Sequence, residues 1–220
     1  MSGRLNKNIL LALQQANYEQ IVQYIVEICE AVANDFEFMN RRLPNNENQI
    51  RTIILEEYLD NDEIRRKHGM SEYSFSPETM ENYDGNGNYI GRADIRIKLK
   101  TDFEKREAYY IVECKRLDGK MSLNKKYVGE GVSRFITKKY SSYYGKNIML
   151  GFVIKQIDIS NNAVLIERYQ NTDNSENMYG SFDLVAKRSK SEVYKCQYKI
   201  EKGDLELRHI FIDYSGIIEG

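Results

Sequence analysis

Tryptophan is absent from this 220-residue chain, proline and histidine occur twice each, and cysteine three times. Each scarcity excludes something. With two prolines, no low-complexity tract and no internal repeat, neither a proline-rich linker nor a solenoid is indicated. Cys29, Cys114 and Cys196 are odd in number, widely spaced and without a CxxC pair, which argues against a disulfide framework and a zinc site. His68 and His209 have no ligand spacing, so a histidine metal site is not expected. The apolar run at residues 9–13 is too short to span a bilayer, and no small-residue cleavage pattern follows it. A reduced, cytoplasmic setting without a membrane partner is the default expectation. Charge of one sign is also missing: 32 basic against 33 acidic residues leave a net charge of -1, which dictates no partner.

What is present reads as a globular domain, with 41% hydrophobic and 30% charged residues. Residues 5–40 have helical periodicity, with Ile21, Tyr24, Ile25, Ile28 and Val32 on one face, suited to pack on the main domain or on a second subunit. The segment RLPNN at 42–46 breaks that pattern and offers Asn45 or Asn46 as a helix N-cap. The boundaries expected are therefore a helical extension over 1–44 and a main domain over 45–220. A second helix runs from Glu47 to Leu59, then an exposed connection over 60–71. Two strands follow, joined by a turn at DGNG, residues 84–87, whose glycines do not have phosphate-loop spacing. Ala108–Leu117 reads as a third strand, Tyr127–Tyr143 as a helix, 147–155 as an interior strand, and 161–172 as a short helix. The final segments form a hairpin turning at Lys202-Gly203. The order predicts an α/β fold with a mixed sheet flanked by helices.

The stretch YYIVECKRL, residues 109–117, carries Glu113 and Lys115 on an otherwise apolar strand. Residues two apart on a strand share a face, so the two side chains point together while Cys114 points away. Charged groups in such a place are paired or coordinate something. On the preceding strand Asp94 stands where the alternation Ile95, Ile97, Leu99 begins. If the strands pair, Asp94 and Glu113 approach closely enough to share a hard cation, Mg²⁺ or Mn²⁺. Lys115 beside it would position or deprotonate a water, which is the chemistry of phosphodiester hydrolysis.

Asp94 followed by Glu113-Cys114-Lys115 resembles the signature of the PD-(D/E)XK nuclease superfamily, over residues 45 to about 155. Ala93 stands where the motif name has proline. The resemblance implies a restriction-endonuclease-like αβββαβ core, a Mg²⁺-dependent endonuclease activity on DNA, and metal ligation by Asp94, Glu113 and the Cys114 backbone carbonyl. It also implies a further acid from the first helix. Glu47 and Glu57 both border the buried face of that helix, and Glu47, in its first turn, is preferred; Glu78 is a weaker candidate. A homodimer is expected where both strands are to be cut.

From Lys115 to Lys139 eight basic residues face two acids, a local balance of +6. Lys125, Lys126, Arg134 and Lys138 are therefore expected to hold phosphates. The rival expectation is a nuclease-fold module that binds or assembles without cutting.

Overall fold

Helix α1 (Lys7–Phe38) lies across one face of a seven-stranded sheet, and its apolar stripe explains why. Tyr18, Ile21, Ile25, Ile28, Val32 and Phe36 recur at helical spacing, are all buried, and pack with the sheet residues Ile95, Val112, Cys114, Leu150 and Ile210. The stripe thus packs on the sheet of its own chain. The structure is a computed structural model that describes residues 7–137, 139–173, 177–201 and 203–220.

The strands are β1 (Tyr73–Tyr83), β2 (Tyr89–Leu99), β3 (Tyr110–Leu117), β4 (Lys146–Val153), β5 (Met178–Lys187), β6 (Ser191–Ile200) and β7 (Gly203–Asp213). Their order in the sheet is β1-β2-β3-β4-β7-β6-β5. The first three form an antiparallel meander, β3, β4 and β7 run parallel in the centre, and β6 and β5 return antiparallel. β4 is buried along almost its whole length, as a near-continuous apolar run requires. The class is α/β, with helices on both faces.

On α1's side of the sheet, α2 (Glu47–Ile53) starts at Asn46, whose side-chain oxygen accepts from the backbone N–H groups of Asn48 (3.0 Å) and Gln49 (3.2 Å). The helix continues as a π turn over Ile54–Leu59. The opposite face carries α4 (Met121–Lys126), a second π turn (Tyr127–Val132), α5 (Ser133–Ile136) and α6 (Ile159–Asp173), packed against Ile111, Met149, Leu207 and Phe211.

Four features differ from the sequence expectation. The connection over 60–71 contains a short helix, α3 (Asp62–Lys67), capped by the Asn61 side chain; none of its residues is buried, so it left no apolar period to read. The helix expected at Tyr127 begins six residues earlier, at Met121, and ends at Ile136, although Tyr140 beyond it is buried as anticipated. β5 was not anticipated: it is an edge strand whose residues are mostly exposed and which bulges twice. The terminal hairpin is no appendage, because β7 pairs with β4 along eight residues and fills the middle of the sheet. Its turn includes Lys202, outside the described residues.

Candidate active site

The site lies where two strands part. β2 and β3 pair only over Ile95↔Val112, Arg96↔Ile111 and Ile97↔Tyr110. One step further the same register sets Asp94 level with Glu113. Beyond it β2 diverges with β1, opening a cleft of about 450 Å³ between the β1–β2 arm, α2 and α5. Asp94, Lys115, Glu47 and Arg134 line it.

Three elements deliver the remaining groups. The N-terminal turn of α2 brings Glu47 over the end of β3, where Oε1 accepts from Lys115 Nζ at 3.0 Å and Oε2 from the Arg116 backbone N–H at 3.0 Å. α5 brings Arg134, and the loop after it brings Tyr140. Glu113 is fully buried. Its Oε1 accepts from Lys115 Nζ (2.8 Å) and Arg134 Nη1 (2.9 Å), and its Oε2 accepts from the Tyr140 hydroxyl. Lys115 Nζ also donates to the Cys114 carbonyl at 2.8 Å. Asp94 accepts from the Cys114 backbone N–H (2.8 Å) and from Arg51 Nη1 (2.6 Å), while Arg51 Nη2 reaches Glu78 at 2.8 Å. The π turn over Lys115 comes close because Gly131 has no side chain: an added Cβ would lie 2.6 Å from Met149 Cε and 3.4 Å from Lys115 Cγ.

Burial pushes the Glu113 carboxyl up to about 7, and repulsion by Asp94 adds to it, against the pull of Lys115 and Arg134. Burial also works against charge on Lys115, but the carboxylates of Glu113, Glu47 and Asp94 outweigh it and hold the ammonium above the ordinary lysine value. Tyr140 is raised by burial and then by Glu113, so it stays a neutral donor.

Glu47, Asp94, Glu113 and Lys115 therefore meet in one place. Glu57 does not join them; it is exposed and pairs with Arg41 at 3.5 Å. Glu78 stands at the margin, between Arg51 and Arg92 (3.2 Å). The Cys114 thiol is buried in the core beneath α1 and its carbonyl faces Lys115. Arg134 lines the cleft but its Nη1 is tied to Glu113, whereas a surface phosphate contact was expected of it. Lys125 and Lys126 are exposed at the end of α4 and do not line the cleft; Lys125 Nζ lies 5.9 Å from the Tyr169 ring centre. Lys138 lies outside the described residues. The sequence reading missed Arg51 as a partner of Asp94, and Tyr140 as a partner of Glu113. Tyr140 carried a signal, its place on the inward face; Arg51 carried none beyond its spacing of four residues from Glu47.

Among the described residues, no three or more Asp, Glu, His or Cys side chains are grouped to hold a metal ion by themselves. Also among them, no helix is long and apolar enough to cross a membrane. The three cysteines are free and buried. Compared with protein-family models, with curated proteins and with solved structures, the chain matches none.

Proposed function

We propose that this chain is a metal-dependent nuclease domain of the PD-(D/E)XK type that hydrolyses phosphodiester bonds in DNA. The observation that carries the reading is the meeting of Asp94, Lys115 and Glu47 in an open cleft at the point where β2 and β3 separate, with the buried Glu113 directly behind them on Lys115. The order α2, antiparallel β1-β2-β3, α4–α5, then β4 parallel to β3 supports it, being the αβββαβ order that the resemblance implies.

The donor set suits a hard cation. Mg²⁺ needs only one or two carboxylates, the rest of its shell being water and phosphate oxygens, so a ready-made cage is not required. Glu113, held near pH 7 by burial and by Asp94, is a carboxyl that gains from an added positive charge. Asp94 and Glu113 would hold Mg²⁺ or Mn²⁺, with the Cys114 carbonyl and Glu47 as further oxygens. The ion, when bound, supplies Lewis acidity to the phosphate and to the attacking water.

The chain's own groups do the remainder. Lys115 stays charged at neutral pH, so it acts as a hydrogen-bond donor that orients water or phosphate, not as the base. Glu47 also holds that ammonium, at 3.0 Å, from its place at the cleft surface. Arg134 and Tyr140 lock the Glu113 carboxylate in one orientation.

One observation favours a second reading, a binding module without hydrolysis. Lys115, Arg51 and Arg134 already face the three acids, so the site is electrically balanced without a metal. Calorimetry with Mn²⁺ and a plasmid-nicking assay with and without chelator separate the two. Weak Mn²⁺ binding with chelator-sensitive nicking is the expected result. Absence of both would leave the binding module; nicking in excess chelator would remove the proposed mechanism.

A further inference from the structure

The β1–β2 hairpin continues beyond the short stretch where β2 pairs with β3 and forms an arm, tied back to Tyr109 and Ser141 through the buried Glu81. On it Met80, Tyr89 and Ile90 are 53%, 57% and 44% exposed. Three large apolar side chains in water on one arm call for an explanation. They sit between two clefts. The one described above is lined by Met80 and Tyr89 and carries Arg92 and Lys139 near the arm. A second, of about 230 Å³, is also lined by Met80 and Tyr89 and carries Arg96 and Arg106. An apolar, aromatic ridge thus separates two hollows of mixed charge, with Arg92 and Lys139 beside it on one side and Arg96 and Arg106, next to Glu107, on the other.

The arm's root is held firmly. A Cβ at Gly91 would lie 2.5 Å from the Lys139 carbonyl oxygen, so only glycine allows this approach. The Tyr140 hydroxyl lies between Glu113 and the Arg92 carbonyl, 2.7 Å from the latter, and its one proton is shared between these two acceptors. The ridge is therefore fixed relative to Glu113 and Lys115.

We infer that the arm is a platform for unpaired nucleic acid, with a base stacked on Tyr89 beside Met80 and the flanking phosphates held by Arg96 and Arg106 on one side and by Lys139 on the other. Charge complementarity names the occupant: cations spaced along a path suit a phosphate backbone, and an aromatic face between them suits a base. In a duplex the base faces are hidden in the stack, so the ridge would meet only sugar and phosphate, and its apolar surface would gain little. An unpaired strand offers both surfaces at once. Only the direction of the strand, toward Lys115, rests on the nuclease reading; the binding itself does not.

The test measures binding with chelator present, so that cleavage plays no part. Fluorescence anisotropy is recorded with a labelled oligothymidine, free and annealed to oligoadenine. The single strand should bind more tightly. The double change Met80→Ala with Tyr89→Ala should weaken it by roughly 5- to 150-fold, the span for losing a stacked base, and Tyr89→Phe should retain it. Arg96→Ala with Arg106→Ala should reduce the slope of log affinity against log salt by roughly 1.4, about 0.7 for each phosphate contact on a single strand. Circular dichroism melts check that the variants fold. Duplex bound as tightly as single strand, or no loss in the Met80/Tyr89 variant, would overturn the inference. Mn²⁺ binding and nicking are scored separately: their failure with strand preference intact removes the nuclease reading alone, and the reverse result removes the platform alone.

Discussion

Glu113 and His209 occupy the same row of the sheet. Glu113 pairs with Met149 and Met149 with His209, so the two lie one strand apart on either side of β4, roughly 10 Å from each other at the usual strand spacing. Both are fully buried, and both are met by tyrosine. Around Glu113 stand Lys115 and Arg134, with Asp94 nearby and a cleft beyond. Around His209 stand the hydroxyls of Tyr127 (2.8 Å) and Tyr198 (3.4 Å) and the ring of Phe182, whose centre is 4.6 Å away. Burial pushes His209 down to about 3, so it remains neutral; burial pushes Glu113 up, and there Asp94 adds to it while Lys115 and Arg134 pull the other way, leaving it near 7. Burial alone therefore does not mark a site. Access and opposing charges beside the buried group do.

The widest separation between the two positions should come from cleavage. Lys115→Met removes the ammonium that faces Glu113; nicking should fall by roughly 10²–10³-fold, as for losing a donor to developing charge, while Mn²⁺ affinity holds or rises, because a repelling charge has gone. Glu113→Gln should abolish Mn²⁺ binding and nicking together, whereas His209→Gln should leave both unchanged. A His209 variant that loses metal binding would collapse the distinction.

Stability should divide them next. His209→Leu leaves the buried Tyr127 hydroxyl without its nitrogen partner, while Tyr198 keeps Gln170, and should cost about 1–3 kcal/mol by urea unfolding at pH 7. Nicking per folded molecule should stay at the native level.

Acid should act on them with opposite sign. His209 is depressed in the fold, so its contribution is present above the ordinary histidine value near 6.5 and is lost as pH falls toward 3, at about 1.4 kcal/mol per pH unit. Glu113 is raised, so its contribution is present at low pH and is lost as pH rises through about 7. Unfolding curves from pH 4 to pH 8 should therefore flatten on the acid side in His209→Gln and on the neutral side in Glu113→Gln.

The smallest effect is expected at Lys125 and Lys126, which do not line the cleft. Changing both to Ala should alter oligonucleotide affinity by less than about threefold. A reduction of about 1.4 in the salt slope would instead return them to the phosphate path, as their charge first suggested.

The strand carrying Glu113 and Lys115 was legible in the sequence because burial there is two-sided and any charge stands out against Val and Ile. So was the β1–β2 turn, whose DGNG needs no tertiary context. β5 was not, because an exposed edge strand with residues such as Gly180, Asp183 and Lys187 has neither alternation nor an apolar run. α3 is polar apart from Ile64, too little to make an apolar period, and rests on its Asn61 cap. The contacts of Arg51 with Asp94 and of Tyr140 with Glu113 span 43 and 27 residues, and no local pattern encodes such partners. Arg134 shows the limit from the other side. Its charge was visible, but its direction depended on where α5 ended.

The position of β7 has a consequence for synthesis. Of the described strands it is made last, yet it lies between β4 and β6, and the segment after it returns to the start of α2. There Leu43 bridges Ile218, and the Arg42 guanidinium donates to the Gly216 carbonyl. A ribosome that has released everything up to β6 has therefore supplied Glu47, Asp94, Glu113 and Lys115 but neither the strand that supports β4 nor the latch beside Glu47. Closing such distant partners is slow and comes late in folding. The growing chain carries its whole set of acids some time before it carries a site.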